Sequence, residues 1–355
     1  MIIDKNPLYC SPRSEGNTET CFSLNSLKKI ANEINTYNNQ KIDTNKPKKY
    51  LYNQINNFMK DNTPCNQDSC WLDTPIIKSL DDNEINFATF LPKTPKEWYL
   101  NRYMWLSTLD IRNVLLQLEE KFLDFEFIGP VPIDFDTVID GNCISDEVCK
   151  LNIKKLLDNN KKKIGIVFNL DRHDMPGSHW VSLFINTENG GIYYFDSVGK
   201  EPCDEIIKLM LRIRKQGNSL IIKKNLDIDD THSIDINLKG NNCKYLVNTN
   251  GLVNNKIFKG MLVCRYGKND NIKILEINNN HIFTHKNIKN TGSNIIKGFR
   301  VFYNDFRHQY KNTECGVYSI FFIKSMLEGN SYINFTKNIK DDAYINALRD
   351  ILYRP

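Results

Sequence analysis

Behind Cys315-Gly316 the chain is apolar around almost a whole helical circumference: Val317, Ile320, Phe321, Ile323 and Leu327 leave little polar surface to meet water. A helix of that kind is stable only when other elements enclose it, so residues 315–327 must sit at the centre of a layered core and hold Cys315 rigidly. With 355 residues the chain is long enough for such a core and for an added domain or large insertion. Hydrophobic residues at 41% and charged residues at 25% are ordinary globular values. No apolar run reaches the roughly 18 residues that span a bilayer, so no membrane association is expected.

Residues 1–95 read as an accessory N-terminal region, polar and poorly periodic apart from a helix across Phe22 to Ile34, with turn-formers at Pro7, Pro12, Gly16, Pro47 and Pro64. From there to residue 355 the pattern sharpens into a single domain. Ile111, Val114, Leu115, Leu118 and Phe122 recur at helical spacing behind Ser107, an N-cap residue, with Asp110 in the first turn. Residues 128–133 predict an extended connection, and Asp146 to Leu157 a second helix. Three strands follow, 164–168, 181–185 and 192–195, the last two joined by a hairpin signal at Asn189-Gly190-Gly191. Together they read as a central antiparallel sheet. Pro202 marks the approach to a helix whose buried face is Ile206, Leu209, Met210 and Ile213. Residues 216–297 read as a β-rich insertion, and 300–303 as a further strand.

Four features carry chemistry. Cys315 opens the buried helix, where the positive end of the helix dipole favours a thiolate, and Gly316 lets backbone approach a substrate carbonyl. His179, in Gly177-Ser178-His179-Trp180, enters a strand; Asp196 ends the next one. A hairpin sets the start of one strand beside the end of its partner, which brings imidazole and carboxylate within reach of each other. Gln309 lies shortly before Cys315, and its amide can join a backbone N–H in stabilising an oxyanion. Each has a bland explanation singly: a packing cysteine, a satisfied histidine, a capping aspartate, a surface glutamine. The order His, Asp, Gln, Cys-Gly is far harder to attribute to chance.

His179-Trp180, Phe195-Asp196-Ser197 and Gln309 through Cys315-Gly316-Val317-Tyr318 resemble the cysteine peptidases that include SUMO proteases and the adenovirus protease. The resemblance spans about residues 100–350, with Trp105-Leu106 before its helix. It implies an α+β papain-related fold with an antiparallel-rich sheet and the nucleophile at a helix N-terminus. It further implies that Cys315 attacks the scissile carbonyl, His179 acts as base and then acid, Asp196 sets the imidazole tautomer and Gln309 helps form the oxyanion hole. Trp180 and Trp105 would wall a narrow substrate groove that favours glycine, with Gly316 beside it. The long separation of Asp196 from Gln309 departs from the cellular SUMO proteases. The Asn/Lys/Ile-rich character is similar to proteases of large nucleocytoplasmic DNA viruses, of the African swine fever virus and mimivirus type. The resemblance implies maturation of capsid and core precursors at Gly-Gly-Xaa-type sites, in virion and infected-cell cytoplasm. The alternative is a SUMO- or ubiquitin-processing protease, cytoplasmic or nuclear.

Ten scattered cysteines and an N-terminus, Met1-Ile2-Ile3-Asp4-Lys5, without signal-peptide character predict free thiols in a reducing compartment, mostly as buried apolar residues. Cys65 with Cys70, and Cys143 with Cys149, lack a second pair at zinc spacing, so neither metal nor other cofactor is expected. His281 and His285 flank a strand-like segment. His173 and His308 are rival bases. A net charge of +5 does not demand nucleic acid, although a nucleic-acid cofactor of the kind the adenovirus resemblance would allow has room.

Overall fold

The computed structural model describes residues 8–14, 19–38, 41–226 and 299–355, together with five strands between 233 and 297 whose backbone pairing alone is described. His281 and His285 lie outside the described residues.

The N-terminal region is more ordered than its polarity suggests. Helices α1 (Leu24–Asn38), α2 (Lys48–Asn62), α3 (Pro75–Lys78) and α4 (Asn83–Asn86) enclose a core of their own around Phe22, Leu27, Ile34, Leu51, Ile55, Met59 and Trp71. Leu51, Ile55, Phe58 and Met59 form one buried stripe of α2, so this region is periodic where the sequence reading took it as irregular. Interspersed Asn and Lys, which dominate the exposed face, hid the stripe.

Two disulfides staple this unit, Cys10–Cys21 and Cys65–Cys70, and a third joins Cys143 to Cys149. Six of the ten cysteines are therefore bonded, which corrects the expectation of free thiols; among the described residues Cys203 and Cys315 are free. The Cα atoms of the pairs stand 5.2, 5.5 and 6.3 Å apart, within the reach of a disulfide. Cys65 and Cys70 are 5 residues apart and Cys143 and Cys149 are 6, separations that a short chain segment closes, which accounts for the spacings that superficially suggested metal ligands.

Helix α5 (Thr108–Lys121) starts with a reciprocal capping box: Ser107 Oγ accepts from the Asp110 N–H, and the Asp110 carboxylate accepts from the Ser107 N–H at 2.7 Å. Strand β1 (Phe125–Pro132) follows, so residues predicted as a connection pair with the sheet; Pro130, after a cis peptide, is accommodated because β1 lies at the edge. A two-stranded ribbon, β2 (Val138–Ile139) and β3 (Asn142–Cys143), precedes α6 (Asp146–Cys149) and α7 (Ile153–Asp158). The single helix expected here is thus broken: Asn152 caps the second piece, accepting from the Lys155 N–H. Strands β4 (Lys163–Asn169), β5 (Trp180–Asn186) and β6 (Gly191–Phe195) form an antiparallel meander. Helix α8 (Asp204–Leu226) buries Ile206, Leu209, Met210 and Ile213 and runs past residue 216, where the insertion was expected to begin. The Leu220 side chain extends the same apolar face, and the Asn218 side chain accepts from the Phe299 N–H at 2.7 Å.

Five strands, β7 (Ser233–Leu238), β8 (Asn241–Val247), β9 (Gly260–Tyr266), β10 (Asn271–Ile277) and β11 (Ser293–Lys297), pair in sequence order as a separate antiparallel sheet. The chain then returns to the central sheet as β12 (Arg300–Tyr303), parallel to β6. The central order is β1-β4-β5-β6-β12, with parallel pairs at both margins and antiparallel pairs in the middle. Crossovers through helices impose the parallel pairs, whereas the tight turn at Asn189-Gly190 permits the antiparallel β5–β6 pair and the longer connection between Asn169 and Trp180 the antiparallel β4–β5 pair.

Both faces of this sheet are covered. On β5, Val181, Leu183 and Ile185 join the core shared with α8, and Trp180 and Phe184 face the core around α9 (Cys315–Leu327). Helices α10 (Tyr332–Lys337), α11 (Asp342–Ala347) and α12 (Arg349–Leu352) enclose α9, which is why an almost wholly apolar helix is stable there. Among the described residues no helix is long and apolar enough to cross a membrane.

Candidate active site

The β5–β6 hairpin aligns Ser182 with Phe195, so His179, just before β5, reaches Asp196, just after β6. His179 Nε2 lies 2.6 Å from Asp196 Oδ1, and the carboxylate is fully buried. The main-chain N–H groups of Val198 and Lys200 also donate to that carboxylate, at 2.8 and 3.2 Å. With Nε2 engaged by Asp196, Nδ1 is the nitrogen left for Cys315, whose thiol interacts with the imidazole. Burial alone would push the His179 pKa down; hydrogen bonds and charge from Asp196 and Cys315 outweigh it and hold the pKa up at about 9.

Cys315 is the first residue of α9, buried against the sheet. Its neighbour Gly316 is explained by packing: a Cβ there would meet Leu106 Cβ at 3.0 Å and Ile111 Cδ1 at 3.3 Å. The absence of a side chain lets α9 close onto the start of α5, a reason different from the approach of substrate read from the sequence. Trp180 is buried and donates from Nε1 to Leu106 O at 3.0 Å, fixing the Trp105-Leu106 segment beside the His179 strand. Trp105 itself is exposed.

Gln309 is buried. Ser197 Oγ donates to Gln309 Oε1 at 2.7 Å, and the Ser197 carbonyl accepts from both the His308 and Gln309 N–H groups. With Oε1 so engaged, the amide presents Nε2 as its donor end. Ser197→Ala should release that orientation and lower kcat by about 3- to 10-fold with little change in KM, consistent with weakening rather than deleting one oxyanion donor; steady-state kinetics on a peptide substrate would check it.

Sequence reasoning missed Asn304. Its Oδ1 accepts from the Asp196 N–H at 2.9 Å and its Nδ2 donates to the Asp196 carbonyl at 2.7 Å, clamping the main chain of the residue that orients His179. An asparagine just past β12 offers no signal of this until β12 is placed beside β6.

The rival histidines are engaged elsewhere. His173 Nδ1 meets Asp134 Oδ2 at 2.6 Å, and buried His308 bonds the Thr336 carbonyl at 3.0 Å while packing on Phe195 and Phe335. No group of three or more metal-ligating side chains occurs among the described residues.

A layered α+β fold carrying a histidine beside a buried carboxylate and near a thiol at a helix N-terminus has the constellation a cysteine peptidase uses. No known family profile matches the chain. It is, however, 32% identical over 244 residues to a thiol protease of Acanthamoeba polyphaga mimivirus, a match covering 61% of this chain and 76% of that protein. It is 22% identical over 323 residues to the cysteine protease of African swine fever virus, covering 86% and 90% of the two chains. The crystal structure of the African swine fever virus protease superposes with a TM-score of 0.54 at 18% identity, over 99% of this chain and 97% of that one. The chain belongs to the thiol protease family of the mimivirus protein and is a cysteine protease. The structural match takes in the N-terminal unit as well as the catalytic sheet.

Proposed function

We propose that the chain is an endopeptidase working through Cys315, His179 and Asp196, and that it cleaves after glycine in Gly-Gly-Xaa-type sites of viral capsid and core precursors. The observation that carries the mechanism is the His179 ring set between the Asp196 carboxylate and the Cys315 thiol. Cys315 Sγ, as thiolate, attacks the scissile carbonyl carbon, and the electron pair moves to the oxygen. That oxyanion accepts hydrogen bonds from the Cys315 N–H and Gln309 Nε2. His179 delivers its proton to the leaving amine as the tetrahedral species collapses to a thioester. Water, deprotonated by His179, then releases the acid and regenerates the thiolate.

The glycine preference follows the resemblance to the SUMO-protease and adenovirus-protease family, and Trp180, next to His179, is held in place by its bond to the Leu106 carbonyl. Action in the infected-cell cytoplasm and the virion accords with precursor processing, and the N-terminal unit is accessory to it. The test sets Gly-Gly-Xaa peptides beside SUMO- and ubiquitin-based reactive probes, with Cys315→Ala as control. Peptide cleavage lost in Cys315→Ala, without probe labelling, is the expected result. Probe labelling without peptide cleavage would replace precursor processing by removal of a ubiquitin-like modifier.

A further inference from the structure

Glu314 occupies the N-cap position of α9, immediately before Cys315, yet its side chain caps nothing. The carboxylate turns away from the helix. Oε2 accepts from Arg349 Nε at 3.0 Å and from Arg349 Nη2 at 2.8 Å; Oε1 accepts from Asn346 Nδ2 at 2.7 Å and Thr313 Oγ1 at 3.2 Å. Both side chains of the ion pair are 1% exposed, and the Arg349 guanidinium lies over the Trp98 ring at 4.4 Å. Burying two charges in this way costs desolvation that an apolar pair of similar volume would avoid, so stability alone is a weak reason for it.

An acidic N-cap ordinarily accepts from the N–H groups of the first helical turn. At Glu314 that would put a carboxylate on donors beside Cys315 and a second negative charge next to the thiolate, cancelling the favourable end of the dipole. We propose that Arg349 is a positioning residue that holds the Glu314 carboxylate off the N-terminus of α9, leaving the first-turn N–H groups open to the oxyanion. Asn346 and Thr313 complete the cradle, so the C-terminal helices govern the nucleophile from behind. The inference rests on Cys315 being the nucleophile.

The test compares Arg349→Met with the double variant Glu314→Gln/Arg349→Met in the full chain. Three readouts are taken: peptide kcat and KM, the rate at which iodoacetamide alkylates Cys315 at pH 7, and thermal melting by circular dichroism. Arg349→Met should lower kcat by about 10-fold or more with KM held, short of the roughly 10²- to 10³-fold cost of deleting an oxyanion donor outright, and should slow alkylation because the displaced carboxylate sits beside the attacking sulfur. The double variant, with no charge to misplace, should recover most of both. A folded Arg349→Met enzyme with unaltered kcat and alkylation would overturn the proposal, as would a folded double variant no better than the single one. Should Arg349→Met not fold, Arg349→Lys with and without Glu314→Gln makes the same comparison with the buried charge retained, and the same outcomes decide. If hydrolysis persists in Cys315→Ala, the nucleophile assignment fails instead.

Discussion

His179→Ala should lower kcat on a peptide substrate by about 10²- to 10⁴-fold, the range that a positioned acid and base supplies, while KM changes little because the ring does not bind remote parts of the substrate. The pH profile of the unmodified enzyme adds a sharper test. In the proposed mechanism protonated His179 supplies the proton for the leaving amine, so activity should fall along an alkaline limb near pH 9 as that proton is lost. Burial opposes the charged ring and Asp196 supports it, so Asp196→Asn should move the limb to lower pH. An unmoved limb would assign the titration to another group. The fold shares this dependence: because the folded pKa lies above the unfolded value, His179 contributes stability that is complete below about pH 6.5 and disappears as pH rises through about 9.

What the sequence made legible were features whose partners lie nearby or repeat at a helical or strand period. The capping box at Ser107 and Asp110, the α8 stripe and the enclosed α9 are local patterns. The His179–Asp196 contact was readable because one hairpin determines it. Devices built from distant residues left no such trace: Asn304 meets Asp196 only through the β6–β12 pairing, and Arg349 reaches Glu314 only after three further helices have wrapped α9. The three disulfides were misread for another reason. Chain length and the character of the N-terminus were allowed to outweigh close spacing, although a short turn suffices to bring such cysteines together. The stripe of α2 was present in the sequence and was obscured by the residues on its wet face.

Trp71→Ala should cost about 3–5 kcal/mol of stability, as expected for deleting a large buried aromatic side chain into a cavity that cannot collapse. Trp71 is fully buried and stacks between Phe22 and Tyr52, with ring centroids 5.4 and 5.8 Å away, at the middle of the N-terminal core. The unit is joined to the catalytic domain by the Gln117 side chain, whose Nε2 donates to the Phe87 and Phe90 carbonyls at 2.7 Å, and by main-chain bonds of Arg354 with Pro92 and Thr94. The Arg13–Glu120 ion pair is solvent-exposed and adds little. Gln117 belongs to α5, whose N-terminal end packs through Leu106 and Ile111 on Gly316. Loosening the N-terminal core therefore removes support from the helix that packs against the Cys315-Gly316 end of α9. Urea unfolding followed by circular dichroism should show the loss as a lower midpoint, and peptidase activity should decline over the same urea range. Activity that outlasts an N-terminal transition would instead mean that the catalytic domain stands without this unit, and that its bonds to α5 serve attachment alone.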